Sequence, residues 1–241
     1  MQVRQNPVFL NQLLDRVRNG DLVPAAMQRS YVWKQTDVLK LCQSIADGLP
    51  LGSLLTWRPF DAHDLSKIAR PRLGPITPGE DRHPGLILDG QNRLASFAWM
   101  TGIALDPTRR ASLSEAEAET WDTGEVLVFD AKTDGFLFVP QDEVDQHLRL
   151  PTSSFFRDGM AVLRKSWDRW QAAGIDTQAI DAFVDRWDAV FHAFLEARIV
   201  ETEIQGATAE EAKSIFLRIC RTGVPMSEED FDRALAWTVD S

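Results

Sequence analysis

The sequence predicts an α+β fold: a small mixed sheet, helices packed on it and a mostly helical insertion. Three observations lead to this class. Short β-type runs are separated by helical patterns, and they lie at 51–57, 85–89 and 198–204. Two further runs, 125–130 and 136–140, are joined by AKTDG, which is typical of a hairpin. Finally, apolar residues recur at helical spacing through 155–196, with a break at Gly174.

The first half of the chain is predicted to alternate helices and strands. Residues 1–20 are predicted as a helix whose leucines share one face. A second helix is predicted from about Asp37 to Asp47, with Thr36 as its N-cap. LGSLLTW (51–57) follows as a strand. The next 27 residues, 58–84, hold five prolines and are predicted to form a long surface excursion.

The second half begins with a buried strand, 85–89, followed by a helix over 91–102. The run 198–204 is predicted to return to the sheet as a strand. After it, T-A-E-E at 208–211 is a capping box that starts a helix, and Ser227 is predicted to cap a last one. The predicted domains are a core over 1–150, a helical lobe over 151–197, and a C-terminal strand and helices, 198–241, that pack back on the core.

Composition excludes several classes of protein. The chain has 241 residues and a net charge of −10, whereas proteins that coat nucleic acid non-specifically carry excess Lys and Arg. No apolar run approaches the roughly 20 residues of a membrane span, and no secretory signal opens the chain. Cys42 and Cys220 lie on apolar helix faces and are predicted to be buried free thiols, which favours a cytoplasmic location.

Motifs of common enzymes are missing. The chain has no GxxxxGK[ST] phosphate loop, GxGxxG, HExxH or GxSxG, and its four histidines are not paired at metal-ligand spacing. A function must therefore rest on a few named residues elsewhere.

The stretch ILDGQNRL (87–94) is the first candidate site. A strand ends at Asp89 and a helix begins, so Gly90, Gln91, Asn92 and Arg93 occupy the turn and the first helical turn. Unpaired N–H groups at a helix start suit an anion, Arg93 matches phosphate oxygens, and Asp89 can hold Mg²⁺ or act as a base. Gly90 permits an unusual φ and close approach of a phosphate. The alternative is structural: Asp89 caps the helix and Arg93 pairs with a surface acid.

A second cluster lies in 28–34, where no amphipathic period is present. Gln28 and Arg29 are followed by Tyr31, Trp33 and Lys34, and the two aromatic residues can stack on a base or pack in the core. If Arg29 lies near Arg93, the two make a doubly cationic pocket that requires an anion.

Taken together, the motifs resemble the N-terminal domain of GmrSD-type modification-dependent restriction systems, within the ParB/sulfiredoxin-like superfamily. The resemblance rests on four segments, in order along the chain: V-P-x-x-x-Q-R-x-Y-V-W-K (23–34), SIADGLPLGSLLTW (44–57), ILDGQNRL (87–94) and IFLRICRTGVPMS (215–227). It extends from about residue 8 to residue 237 and implies a small ParB/sulfiredoxin-like sheet.

The resemblance also implies a site and partners. Binding and hydrolysis of a nucleoside triphosphate with Mg²⁺ are expected at the family's DGQQR motif and at the QR of the first motif. These positions correspond to Asp89, Gly90, Gln91, Arg93, Gln28 and Arg29. Asp89, Gln91 and Arg93 are assigned catalytic roles, with Asp89 holding the metal. Trp33, Lys34 and Asn92 complete the binding set.

Three positions depart from the family pattern. Asn92 replaces a second Gln, Met27 replaces a common aromatic residue, and Cys220 replaces an Asn, which bears on hydrolysis more than on binding. No HNH-like His cluster is present, so DNA cutting requires a nuclease subunit or a further C-terminal domain.

Three functions follow as hypotheses. The first is a nucleotide-dependent regulatory domain of a DNA-restriction or anti-phage defence system, and the second is a module that binds DNA or a modified phosphate backbone without turnover. The third is a ParB-like nuclease. Each is compatible with a homo-oligomer, and none involves a membrane.

Overall fold

In the computed structural model, the described residues are 1–26, 28–59, 69, 72–79, 83–103, 112–157 and 160–222, without the side chains of 146, 160 and 219–222. About half of the predicted excursion at 58–84 and the predicted helix after Ser227 therefore lie outside the described residues, as do Met27 and the side chain of Cys220.

The chain forms two compact units, and each is built from separate stretches of sequence. Unit 1 comprises Met1–Tyr31, Gly52–Ala95 and the described part of Arg198–Ser241. Unit 2 comprises Val32–Leu51 and Ser96–Ala197, and therefore holds all of the residues 151–197.

Unit 1 contains a five-stranded mixed sheet in the order β1-β8-β3-β4-β2. The strands are β1 (Gln2–Phe9), β2 (Leu22–Pro24), β3 (Ser53–Arg58), β4 (Gly85–Asp89) and β8 (Arg198–Gln205). β2 is parallel to β4, and β3 is parallel to β8, whereas the pairs β3–β4 and β1–β8 are antiparallel. The α+β class and the mixed sheet are thus confirmed.

Helices cover both faces of this sheet. On one face, Trp57, Leu86, Leu88 and Ile204 pack with Phe216 of helix α8 (Ala209–Thr222). Helix α1 (Leu10–Asn19) buries Leu10, Leu13, Leu14 and Val17. α1 lies on the opposite face, because its Arg16 donates to Glu201. Glu201 and Ile204 are three residues apart in β8, so their side chains point to opposite faces of the sheet.

Unit 2 contains a three-stranded antiparallel sheet, in the order β6-β5-β7, and a helical part. The strands are β5 (Glu125–Asp130), β6 (Gly135–Pro140) and β7 (Arg149–Pro151). The helices are α2 (Gln35–Ala46), α4 (Glu115–Trp121), α5 (Ser154–Arg157), α6 (Met160–Ala172) and α7 (Thr177–Leu195), and a 3-10 helix covers Gln141–Gln146. Aromatic rings fill the core: Phe155 stacks on Trp187 at 4.1 Å between centroids.

Helix α3 (Gln91–Met100) begins in unit 1 and continues into unit 2 along the chain. Among the helices that the structure describes, none is long and apolar enough to cross a bilayer.

The prediction of a helix over the whole of 1–20 is wrong for its first part. Gln2–Phe9 is strand β1, and the helix begins only at Leu10. The reason is tertiary: β1 pairs along its full length with β8, from Gln2↔Gln205 to Phe9↔Arg198, and a single-sequence pattern does not reveal a partner so distant in the chain.

Local signals gave the other elements more accurately. The predicted hairpin and the capping box at 208–211 are confirmed, since Thr208 N–H donates to Glu211 Oε2 at 2.8 Å and Glu211 N–H to Thr208 Oγ1 at 3.2 Å. The expected N-cap of α2 is displaced by two residues, from Thr36 to Lys34, because Asp37 Oδ2 accepts from the Lys34 N–H.

Candidate functional site

Three chain segments meet at one edge of the unit 1 sheet. β2 and β4 are parallel, with Pro24 opposite Ile87, so both strands end at this edge. β3 is antiparallel to β4, with Leu55 opposite Asp89, so β3 begins there. The edge therefore carries residues 25–26 and 28–29 after β2, residues 89–93 after β4, and Gly52 directly before β3.

Gly90 makes the sharp turn from β4 into α3. Its φ is +92°, which glycine adopts without strain, and its carbonyl oxygen accepts from the Leu94 N–H at 3.1 Å to open the helix. A Cβ on Gly90 would lie 2.9 Å from Leu54 Cδ1 and 3.2 Å from the Ser53 oxygen. The missing side chain thus leaves room for β3, and the close approach of a phosphate to Gly90 stays a prediction.

Arg93 is half-buried one turn into α3. Its Nη1 donates to the Ser53 carbonyl oxygen at 3.0 Å, which ties the guanidinium to the start of β3. Burial lowers the pKa of Arg93, and the nearby Asp89 charge opposes that shift. Within the described part of the chain, Arg93 makes no ion pair, so the structural alternative of a surface salt bridge has no support there.

Two amide side chains, Gln91 and Asn92, precede Arg93 in the first turn of α3. Gln91 is only 8% exposed, and its Oε1 is a buried acceptor with no hydrogen-bond partner among the described residues. Asn92 is half-buried. Asp89 is exposed at the end of β4, and its carboxylate accepts no hydrogen bond from the described residues, so it does not act as a helix cap there.

Gln28 and Arg29 lie just beyond β2, at the same edge. The Gln28 N–H donates to the Ala25 oxygen at 3.1 Å, and the Gln28 side chain is buried. Arg29 is half-buried and forms neither an ion pair nor a hydrogen bond with any residue that the structure describes. Two arginines therefore lie on segments that leave neighbouring strands at one edge.

Trp33 and Lys34 belong to unit 2. The Trp33 carbonyl oxygen accepts from Thr120 Oγ1 at 2.9 Å, and the Lys34 side chain is exposed at the start of α2. Their expected part in nucleotide binding stays a prediction.

Asp89 fits a magnesium site of one particular kind. No group of three or more His, Cys, Asp or Glu side chains is placed to hold a metal in the part of the chain that is described. Mg²⁺ is commonly bound by one or two carboxylates, with phosphate oxygens and waters supplying the other ligands. A single exposed carboxylate beside the start of α3 is compatible with that arrangement.

Sequence reasoning missed Gly52 and Ser53. The signal was a glycine directly before a buried strand, which often marks a close backbone approach. In the structure, Gly52 has φ +79°, and its missing Cβ would lie 3.1 Å from Arg93 Nη2. These two residues therefore belong to the candidate site.

Comparison with known proteins identifies one family. Residues 10–236 match the family described as GmrSD restriction endonuclease, N-terminal domain, and the matched range includes every segment of the sheet edge. A search of curated proteins gave no match. Because the match extends over most of the sequence, the chain belongs to the family of GmrSD restriction endonuclease N-terminal domains.

Proposed function

We propose that this domain binds a nucleoside triphosphate with Mg²⁺ at the unit 1 sheet edge, hydrolyses it, and thereby controls a DNA-cutting partner in a restriction system. The observation that carries the proposal is Arg93: a half-buried guanidinium, tied to a backbone oxygen, with no ion pair in the described chain.

Electrostatics favours an anionic ligand there. The chain has a net charge of −10, so carboxylates are plentiful, yet neither Arg29 nor Arg93 is paired with one in the described part. Removing water from a cation is unfavourable unless an opposite charge replaces the water. A phosphate group supplies that charge, and the partial positive charge at the start of a helix such as α3 favours its binding.

The buried acceptor of Gln91 favours hydrolysis over binding alone. Ionised phosphate oxygens accept hydrogen bonds and donate none, so a phosphate cannot be the partner of the Gln91 Oε1. This acceptor needs a hydrogen-bond donor. A water molecule beside the phosphates meets that need and is oriented for attack by donating to Oε1. Asp89 would hold the Mg²⁺, whose charge would offset that of the phosphates, and Arg93 would stabilise the charge that develops during transfer.

Control of a nuclease is inferred from the family. The GmrSD family name denotes a restriction endonuclease, and the matched part is its N-terminal domain. An HNH-type nuclease subunit or domain is the partner that we propose for DNA cutting. Hydrolysis in this domain then switches the partner between states.

A titration with fluorescent nucleoside triphosphates, with and without Mg²⁺, tests the proposal. Arg93→Ala is expected to abolish binding and phosphate release. It should change stability little, because it removes one hydrogen bond worth about 0.5–1.5 kcal/mol. Arg18→Ala is the matched control, since Arg18 forms an exposed pair with Asp15 on α1, and it should leave nucleotide binding unchanged.

The outcomes separate the hypotheses. Binding without phosphate release would support a non-catalytic module instead. If modified DNA binds wild type and loses affinity on Arg93→Ala while nucleotides do not bind, the site recognises a DNA backbone. If Arg93→Ala unfolds the protein while Arg18→Ala does not, Arg93 is structural and the site assignment is wrong.

A further inference from the structure

The turn before β3 lies directly against the guanidinium of Arg93. At Gly52 a Cβ would be 3.1 Å from Nη2, 3.4 Å from Cζ and 3.5 Å from Nη1. The first of these distances is shorter than most real Cβ contacts, so any side chain at residue 52 would displace the guanidinium by a few tenths of an ångström. The absence of a side chain there is therefore part of how Arg93 is positioned.

The next residue supplies an anchor. Ser53 accepts from Arg93 Nη1 at 3.0 Å, and a guanidinium has five N–H donors in a rigid plane. Fixing one of them orients the others. Nη1 donates to the Ser53 oxygen, and Gly52 leaves space beside Nη2. Gly52 and Ser53 together therefore set the orientation and the position of the guanidinium group.

We propose that Gly52 and Ser53, at the start of β3, position Arg93, and that the absence of a side chain at Gly52 sets the geometry in which Arg93 meets a phosphate. This inference rests on the proposed function. Planar recognition of phosphate by arginine depends on direction as well as on charge. A displacement of a few tenths of an ångström is thus expected to weaken nucleotide affinity by about tenfold.

A simpler explanation is that glycine is needed only for its φ of +79°. Gly124 provides the matched control, since its φ is also +79° and a Cβ there would meet nothing within 4 Å. Alanine at Gly124 therefore measures backbone strain alone, whereas alanine at Gly52 adds the contact with Arg93.

The experiment compares Gly52→Ala and Gly124→Ala by thermal unfolding and by titration with fluorescent nucleoside triphosphate and Mg²⁺. Both variants should lower the Tm by a similar amount. Gly52→Ala should weaken affinity about tenfold, and Gly124→Ala should change it less than about twofold.

Both glycine substitutions are then repeated in an Arg93→Lys background. If Gly52 has only a structural role, its effect on nucleotide affinity should be the same in this background as in wild type. The lysine ammonium has no planar head beside residue 52, so Gly52→Ala should then weaken the residual affinity by less than about twofold. If Gly52→Ala fails to fold, Gly52→Asn and Gly124→Asn replace the alanine pair, because asparagine tolerates a positive φ.

The inference and the proposed function fail in different ways. If wild type binds no nucleoside triphosphate, the proposed function is overturned and this inference falls with it. If wild type binds and Gly52→Ala binds equally well, or if the loss is the same in the Arg93→Lys background, only the positioning role is overturned.

Discussion

Replacing Arg149 by Met should destabilise unit 2 strongly, because it leaves a buried carboxylate without its cation. Asp130 is 1% exposed at the end of β5, and its Oδ1 accepts from Arg149 Nε at 2.6 Å. The N–H and Oγ1 of Thr133 also donate to Asp130, at 3.0 and 3.1 Å. Breaking a buried ion pair on one side costs about 3–5 kcal/mol, and the two Thr133 bonds that remain favour the lower end.

We therefore expect Arg149→Met to lower the free energy of unfolding by about 3 kcal/mol. For a chain of this size the corresponding fall in Tm is about 6–12 °C. Urea unfolding followed by tryptophan fluorescence measures the free energy, and circular dichroism during heating measures the Tm.

Arg186→Met is the matched control, because Arg186 and Asp134 form a pair at 2.7 Å in the same unit with both side chains exposed. It should cost less than about 1 kcal/mol. In an Asp130→Asn background, Arg149→Met should cost at least about 1 kcal/mol less than it does in wild type. If Arg149→Met proves no more costly than Arg186→Met, the reasoning from burial is wrong.

Three further predictions concern the pH dependence of stability, the glycine at the start of α3, and the effect of Mg²⁺ on nucleotide binding. Burial raises the pKa of Asp130, but the hydrogen bonds from Arg149 and Thr133 outweigh it and hold the pKa below the ordinary 3.8. The stabilisation by the pair should therefore be complete above about pH 4–5 and be lost as pH falls through the lowered pKa. The difference in free energy of unfolding between wild type and Arg149→Met should shrink over the same range, and a difference that does not change with pH would contradict this. Gly90→Ala should lower the free energy of unfolding, measured with urea, by about 2–3 kcal/mol, because φ is +92° and a Cβ meets Leu54. A loss of about 1 kcal/mol is what backbone strain alone would give, and it would contradict the contact with Leu54. Asp89→Asn should remove the stimulation of nucleotide binding by Mg²⁺ while the Mg²⁺-free affinity stays the same or rises, and an unchanged Mg²⁺ response would exclude Asp89 as the metal ligand.

Elements specified by their own residues could be predicted from sequence. The β5–β6 hairpin, the capping box before α8 and the turn from β4 into α3 all depend on neighbours within a few positions. Strand β1 could not be predicted in this way. Its pairing partner β8 lies about 200 residues away in the sequence. The leucines of α1 gave a helical pattern, and the predicted helix was extended back over β1.

The residues of the candidate site could be predicted from the sequence, but the contacts that position them could not. The DGQNR motif pointed to Gln91 and Arg93, because their types match a phosphate and their place at a helix start follows from the pattern. The contribution of Gly52 could not be seen, since it consists of a missing side chain and a contact that only the β3–β4 pairing brings about. Nor does the pattern reveal that the Gln91 Oε1 is buried.

The sheet order has a consequence for how the chain is made. β8 lies between β1 and β3, so β1 cannot join the sheet until Arg198–Gln205 has been synthesised. At ordinary translation speeds that delay is roughly 10–40 s. During that delay β1 lacks its sheet partner, and its exposed backbone N–H and C=O groups make this segment of the nascent chain a target for chaperones and a source of aggregation. Chains truncated before residue 198 should keep that liability permanently.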